Sequence, residues 1–298
     1  MKKFGLVLVL GSLLGVIYSN RVSIYDFYYD NFIPLEEKVS HLKTNEYYRD
    51  YNFDYVQNTN NFIPQSRQDV LNIYYTIINS GMREFTFYCD DKYVNCQNDV
   101  NDIANNQNIL STINNFVHPY NSFKSIKTQI SSIGEVKVSV DKIYSEKMIY
   151  LIDYEIDKII DKKITTDMDN KTKIRKIHDY IINNTKYDKA RTDDKISKYS
   201  SDNAYGVLTE NYGVCSGYSD TMMLFLEKFN IKSIKIASEN HVWNYVNLDD
   251  NWWHLDLTWD DPISDSGDLL EHTYFLIDSN TLKKLDSTEH YYNAAIYK

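Results

Sequence analysis

Two short segments of alternating polar and apolar residues, separated by a turn, constrain the fold of this chain most strongly. Residues 239–246 read Glu-Asn-His-Val-Trp-Asn-Tyr-Val, and residues 252–259 read Trp-Trp-His-Leu-Asp-Leu-Thr-Trp. A period of two is typical of β-strands, and the polar stretch at 247–251 between them is rich in turn-forming residues. The two segments are therefore predicted to form an antiparallel β-hairpin.

The predicted pairing brings a histidine close to a carboxylate. If residues 249–250 form a two-residue turn, Trp243 lies opposite Asp256. His241 is then the diagonal neighbour of Asp256 on the same face, with backbones about 7–8 Å apart, which side chains can span. His241 and Asp256 are predicted to share a hydrogen bond. His254 is the alternative imidazole, but it lies two residues from Asp256 on the same strand and points past the carboxylate, so His241 is preferred.

A helix that begins at Cys215 is the second informative feature. The sequence at 212–219 is Tyr-Gly-Val-Cys-Ser-Gly-Tyr-Ser. Apolar residues then recur at helical spacing, at Met222, Met223, Leu226 and Phe229. A thiol at a helix start lies near unpaired N–H groups and the positive end of the helix dipole, which favour the thiolate. Gly213 and Gly217 are expected to let a substrate backbone come close, and the Cys215 N–H to face an oxyanion. The alternative is a buried structural cysteine.

Cys215, His241 and Asp256 together supply the three roles of a nucleophilic site. A thiol nucleophile needs a base that holds it ionised and that later protonates the leaving amine. The imidazole in turn needs a carboxylate that fixes its tautomer. The three residues are thus the predicted catalytic residues of an acyl-transfer reaction.

The three motifs in this order resemble the bacterial form of the transglutaminase-like superfamily, over about residues 170–285. They are Gly-Val-Cys-Ser-Gly-Tyr-Ser at 213–219, His-Val-Trp-Asn at 241–244 and His-Leu-Asp-Leu-Thr-Trp-Asp-Asp at 254–261. The resemblance implies an α+β, papain-like core in which a helix bearing the cysteine packs on an antiparallel sheet bearing the histidine and the aspartate.

The resemblance also implies a role for individual residues. Cys215 would be the nucleophile, His241 the general base and acid, and Asp256 the orienting carboxylate. Aromatic side chains would line or support the cleft and the oxyanion hole, namely Tyr212, Trp243 and Trp259.

Upstream of this core the pattern predicts a small α+β domain of unassigned role. Apolar residues at helical spacing follow Ser66, and Gly81 marks the end of a helix expected over 67–80. The segments 123–131 and 134–143 alternate as a hairpin does. Amphipathic helices are expected from Ser145 and over 170–184. The domains are therefore set at 20–145 for the α+β domain and 146–298 for the catalytic domain.

Residues 1–19 form the remaining segment and have the pattern of an export signal. Lys2 and Lys3 precede an apolar run from Phe4 to Ile17, which is too short to span a bilayer at about 1.5 Å per residue. A cleaved signal is preferred over an uncleaved anchor, so the protein is expected to be secreted or to lie on the outer face of the membrane or cell wall.

The three cysteines divide into a pair and a single thiol. Cys89 and Cys96 lie seven residues apart around a stretch that can turn the chain, and export makes disulfides available. A disulfide between them is the preferred interpretation, with two free thiols as the alternative. Cys215 is then unpaired.

Charge and motif content exclude several other classes of protein. The formal net charge is −10, from 32 Lys and Arg against 42 Asp and Glu, which is opposite to the basic surface that nucleic acid requires. No cofactor or metal is expected, because no zinc motif occurs and the cysteine is followed by Ser216 rather than by the tryptophan of the calcium-dependent animal enzymes. An acidic cluster has no EF-hand spacing and is expected to be a solvated loop: Asp260, Asp261, Asp265 and Asp268.

The sequence therefore predicts an exported cysteine acyl-transfer enzyme that acts on glutamine carboxamides or peptide bonds. Protein or peptide substrates, including cell-wall peptides, are its expected partners, and contact with a membrane is expected only through an uncleaved N-terminal segment. A surface peptidase or amidase with the same triad is one alternative. A non-catalytic binding module with the same fold is another.

Overall fold

A computed structural model describes residues 41–193, 195–262 and 270–297 as a mixture of helices and short strands. The helices are α1 (Arg67–Asn79), α2 (Cys96–Asn105), α3 (Gln107–Asn114), α4 (Glu146–Lys163), α5 (Asn170–Asn184), α6 (Lys189–Asp193), α7 (Cys215–Lys228) and α8 (Ser279–Leu285). The strands are β1 (Glu84–Tyr88), β2 (Phe123–Ile130), β3 (Glu135–Lys142), β4 (Lys186–Tyr187), β5 (Tyr212–Gly213), β6 (Ser233–Ala237), β7 (Val242–Leu248), β8 (Asn251–Leu255) and β9 (Phe275–Ile277). The described residues also contain a short 3₁₀ turn at Pro119–Asn121 and a π-helical turn at Gly206–Glu210.

The predicted export signal at 1–19 lies outside the described residues. Among the helices that the structure does describe, none combines the length and the apolar character needed to cross a bilayer.

The N-terminal part forms a three-stranded antiparallel sheet in the order β1-β3-β2, as the alternation predicted for β2 and β3. The side chain of Ser66 accepts a hydrogen bond from the Asp69 N–H and so begins α1. Gly81, with φ of +73°, follows the end of that helix, where an L-residue would be strained. A disulfide joins Cys89 after β1 to Cys96 at the start of α2, with Cα atoms 5.6 Å apart.

A four-stranded antiparallel sheet, in the order β6-β7-β8-β9, carries the predicted hairpin. Asp249 and Asp250 have φ of +53° and +60°, as a two-residue type I′ turn requires. The register pairs Tyr245 with His254, and the same register continued by two residues sets Trp243 level with Asp256. The predicted register is confirmed.

The strands are shorter than predicted, since β7 begins at Val242 and β8 ends at Leu255. The expectation that Thr258 and Trp259 lie on a strand is wrong. Their backbone N–H groups donate to Oδ1 of Asp256 at 2.9 and 3.2 Å, which turns the chain away from the sheet. His241 and Asp256 consequently lie just outside the ladder, where their side chains are not held in a regular strand.

One hydrophobic core joins the N-terminal sheet to the hairpin sheet. It combines Phe85, Phe116 and Val138 with Ile234, Trp243 and Tyr297. The Lys235 N–H also donates to the Asn115 carbonyl at 3.0 Å. Residues on both sides of residue 145 therefore share this core, and the division of the chain at that point stays a prediction.

The second core surrounds α7, which is buried from Gly217 to Leu226. A helix that is apolar on most of its faces belongs in the middle of a domain, and here α4, α5 and the hairpin sheet cover it. Its one buried carboxylate, on Asp220, accepts hydrogen bonds from Lys235 Nζ at 2.6 Å and from Tyr144 Oη at 2.7 Å. The fixed position of this helix sets the position of its first residue, Cys215.

Candidate active site

Cys215 is the first residue of α7 and carries a free, partly buried thiol. The preceding residue, Val214, has no side chain that can cap the helix, so the first backbone N–H groups are left to other acceptors. These groups and the helix dipole form a site suited to negative charge.

The two glycines beside Cys215 have a different role from the one expected. A Cβ added at Gly217 would lie 2.3 Å from the Ser201 carbonyl oxygen, and one at Gly213 would lie 2.7 Å from the Tyr218 ring. The chain itself fills the space at both positions, so the expectation that they admit a substrate backbone is wrong. They are needed for close packing around the helix start.

His241 lies one residue before β7, and its imidazole contacts the predicted carboxylate. Its Nε2 is 2.5 Å from Oδ2 of Asp256, and its ring stacks on Trp243 with centroids 5.6 Å apart. Because Nε2 is engaged by Asp256, Nδ1 is the nitrogen left for the hydrogen bond with Cys215. Burial opposes protonation of this ring, but the charge and hydrogen bond of Asp256, aided by Cys215, raise the pKa of His241 to about 10. The geometry thus favours an imidazolium beside the thiol.

Asp256 is buried and accepts four hydrogen bonds. Oδ1 accepts hydrogen bonds from the backbone N–H groups of Thr258 and Trp259. Oδ2 accepts from His241 and from a second imidazole, that of His290, at 2.9 Å. Burial alone would raise the pKa of this carboxyl, but the charge of His241 and the hydrogen bonds from both imidazoles hold it well below its usual range. The carboxylate is therefore ionised and its orientation is fixed.

His290 is a site residue that the sequence analysis missed. Its Nε2 contacts Asp256, its Nδ1 lies 2.8 Å from Oδ2 of Asp286, and its ring stacks on Tyr274 with centroids 5.0 Å apart. The four-residue spacing of Asp286 and His290 is the only local sequence signal, and it concerns the contact between these two side chains. Nothing in the sequence indicates that residues near the C-terminal end of the chain fold back onto the hairpin.

His254, the alternative base, is held in a different environment. Its Nδ1 accepts a hydrogen bond from the Trp243 indole at 3.0 Å, and its Nε2 lies 3.0 Å from Ser279 Oγ. Burial and then the charge of His290 lower the pKa of His254 to about 3. His254 is therefore a neutral ring that supports Trp243, and the geometry agrees with the choice of His241.

The aromatic residues proposed for the cleft differ in their positions. Trp243 is buried behind His241, whereas Trp259 is 36% exposed and its ring lies 6.3 Å from that of His241. Tyr212 stacks on Tyr199 with centroids 3.7 Å apart, and its role near the oxyanion stays a prediction. A tyrosine that the sequence did not indicate, Tyr187, is half-buried, and burial and then the nearby charge of Cys215 raise its pKa.

The model of the transglutaminase-like superfamily matches residues 157–257, a segment that contains Cys215, His241 and Asp256. This segment belongs to the transglutaminase-like superfamily. It has the α+β, cysteine-protease-like fold of that superfamily, as the sequence motifs implied.

Comparisons with solved structures and with curated proteins give little similarity. A solved structure described as the crystal structure of a TGase shares 14% sequence identity with this chain, at a TM-score of 0.34. The match covers 46% of this chain and 45% of that one. No curated protein matches the chain.

The acidic residues that follow the hairpin of the transglutaminase-like core are not a solvated loop throughout. Asp260 is completely buried, with Oδ2 3.1 Å from His178 Nε2 and Oδ1 accepting the Tyr274 N–H at 2.8 Å. Asp261 accepts a hydrogen bond from the Tyr218 hydroxyl. The expectation of a solvated loop is therefore wrong for Asp260, because the turn after Asp256 directs its side chain inward. Asp265 and Asp268 lie outside the described residues.

Proposed function

We propose that this chain is an exported, cysteine-dependent acyl-transfer enzyme of transglutaminase-like type, which acts on glutamine carboxamides or peptide bonds. The observation that carries the proposal is the linear arrangement of Cys215, His241 and Asp256. The imidazole joins a buried, fully hydrogen-bonded carboxylate at Nε2 to a thiol at an uncapped helix start. Such an arrangement suits a nucleophile with its base and orienting acid.

In the first step the Cys215 thiolate attacks the carbonyl carbon and forms a sulfur–carbon bond. The carbonyl oxygen becomes an oxyanion, which the Cys215 N–H and its neighbours at the helix start can stabilise. His241 then gives its proton to the leaving nitrogen as the carbon–nitrogen bond breaks, so ammonia or an amine departs and a thioester remains. Asp256 holds the ring in the orientation that both transfers need.

In the second step a nucleophile resolves the thioester. An amine loses a proton to His241 and attacks the thioester carbon. The sulfur–carbon bond then breaks, which releases the Cys215 thiolate and leaves a new amide that crosslinks two molecules. Water reacts in the same way and gives a carboxylic acid. The outcome depends on how well the cleft excludes water. Trp259 and Tyr187 are partly exposed aromatic side chains beside the reacting groups, and they are well placed to shield the thioester.

Export is supported by the disulfide between Cys89 and Cys96, because such bonds persist in oxidising compartments. The cationic start and apolar run of residues 1–17 support the same conclusion. An exported enzyme meets cell-wall peptides and surface proteins, and we propose these as the substrate class.

The test is mass spectrometry of a protein substrate rich in glutamine and lysine, after incubation with the enzyme and a primary amine. Cys215→Ala is the inactive control, and Asp249→Asn is a matched control in the hairpin turn, where asparagine tolerates the positive φ. Amine adducts at glutamine would support a transglutaminase, and deamidation or new chain termini alone would support a hydrolase. If no change depends on Cys215 and the thiol does not react with iodoacetamide, the fold serves for binding and the proposal is refuted.

A further inference from the structure

A second cluster of imidazole and carboxylate side chains lies apart from Cys215. α5 contributes His178 and Asp179, and the segment before β9 contributes His272. His178 Nδ1 lies 3.0 Å and His272 Nε2 lies 2.7 Å from the same oxygen, Oδ1 of Asp179. Each residue offers one ligand atom, and the three atoms lie within 4.8 Å of one another.

The separations within this cluster are close to those of a metal site. Bonds of about 2.0–2.2 Å from a metal ion to imidazole nitrogen and carboxylate oxygen, in tetrahedral geometry, place neighbouring ligand atoms about 3.3 Å apart. The measured separations of 3.0 and 2.7 Å are shorter than this by about 0.3 and 0.6 Å. His178 is completely buried, whereas the side chains of Asp179 and His272 are 32% and 26% exposed and can adjust.

His178 lies between two carboxylates. Its Nδ1 faces Asp179, and its Nε2 lies 3.1 Å from Oδ2 of the buried Asp260. Ionised carboxylates only accept hydrogen bonds, and a neutral imidazole has one N–H. The ring can therefore donate to one of these carboxylates and present the lone pair of its other nitrogen to the second. If Nε2 donates to Asp260, the lone pair of Nδ1 is directed towards the cluster.

A carboxylate that receives the distal N–H of a histidine is a common support for a metal ligand, because it fixes the tautomer and the ring orientation. Asp260 is itself held by the Tyr274 N–H at 2.8 Å, so its position is fixed. Asp260 and His178 thus form a rigid, buried pair behind the more exposed ligand atoms.

We propose that His178, Asp179 and His272 bind a divalent transition metal ion of the zinc type. Two imidazoles and one carboxylate are ligands that suit zinc, cobalt and nickel. The partial exposure of Asp179 and His272 gives the ion an entry path and leaves a coordination position for water. Among the described residues, the one cation beside the Asp179 carboxylate is Arg175, whose Nε lies 3.5 Å from Oδ1 of Asp179. The Arg175 side chain is 43% exposed, so it can turn outward.

The proposed ion would connect α5 to the turn that carries the catalytic carboxylate. The backbone N–H of Asp260 donates to the carbonyl of Asp256 at 3.2 Å, and the side chain of Asp260 contacts His178. A metal ion bound to His178 would therefore also stabilise this turn. The sequence did not indicate the site, since His272 is far along the chain from the adjacent pair and no motif spacing links them.

The test is titration of the full chain, without an affinity tag and stripped of metal, with Zn²⁺ in competition with a chromogenic chelator. The Cys215→Ala background removes the active-site thiolate, which can itself bind zinc. One zinc ion per chain is expected. His272→Gln should weaken binding by at least about tenfold, whereas His41→Gln, at an exposed histidine outside the cluster, should leave it unchanged.

A second ligand variant distinguishes loss of a zinc ligand from loss of zinc binding through misfolding. Asp179→Asn should lose zinc in the same way, while circular dichroism and the metal-free melting temperature show that both variants remain folded. Substitution with Co²⁺ should give the visible absorption of a nitrogen- and oxygen-ligated ion, and this absorption should disappear in His272→Gln. Absence of binding, or equal binding in His272→Gln, would overturn the proposal. So would loss of binding in His290→Gln alone, which would place the ion at Asp256.

Discussion

The replacement Asp256→Asn tests the proposed chemistry most directly. The pKa of His241 rises from 6.5 to about 10 in the folded chain, and Asp256 is the largest favourable cause. Since each pKa unit is worth about 1.36 kcal/mol, this rise corresponds to about 5 kcal/mol in favour of the imidazolium. Asparagine keeps the shape of the side chain, but it removes the charge and can present an N–H to Nε2, which forces the wrong tautomer.

The assay is the rate at which iodoacetamide alkylates Cys215 near neutral pH. Cys215 is the only cysteine of the three outside the disulfide, so labelling reports on it alone. The 5 kcal/mol figure is an upper bound of about 3,000-fold, because Cys215 supplies part of it, and we expect a loss of at least about a hundredfold. Asp249→Asn, in the turn of the same hairpin, should be alkylated at the parent rate. Equal rates for Asp256→Asn and the parent would remove Asp256 from the proposed mechanism.

Three further predictions concern the same group of residues. Cys215→Ala should abolish thioester formation while the free energy of unfolding changes by no more than about 1 kcal/mol, and a larger loss in urea denaturation would favour a structural cysteine. His290→Gln should cost about 3 kcal/mol of stability in the same assay, because it breaks a buried link between two carboxylates, and unchanged stability would contradict this. The pH dependence follows from His241. Its raised pKa stabilises the fold fully below about pH 6.5, and this stabilisation is lost as the pH rises towards about 10. The difference in unfolding free energy between the parent and His241→Gln should therefore shrink from about pH 6 to 8 to 10, and a constant difference would refute the assigned cause.

Local patterns in the sequence predicted the elements of this fold well. Helices over 170–184 and from Ser145 were expected, and they are observed as Asn170–Asn184 and Glu146–Lys163. Their first turns are closed by side chains of the preceding residues, which is a signal that a single sequence contains. The hairpin register was predictable for a similar reason, since the two-residue turn and the period of two leave one pairing.

Contacts between distant segments were not predictable from those patterns. His290 was missed because its partner Asp256 lies 34 residues away, on a turn that ends the strand earlier than the alternation indicated. Asp260 was assigned to solvent because its neighbours in the sequence are acidic. Its burial depends on α5, which brings His178 against it.

The sequence by itself determined the three motifs, the hairpin that brings His241 to Asp256 and the helix that begins at Cys215. Each of these depends on hydrogen bonds and side-chain periodicity over a few residues. Only the tertiary structure decided that His290 completes the carboxylate's hydrogen bonds, that His254 is neutral beneath Trp243, and that side chains between Phe53 and Val140 share a core with the hairpin sheet. Burial and charge at a site are set by which segments pack against it, and packing between segments that lie far apart in the chain leaves no periodic signal in either of them.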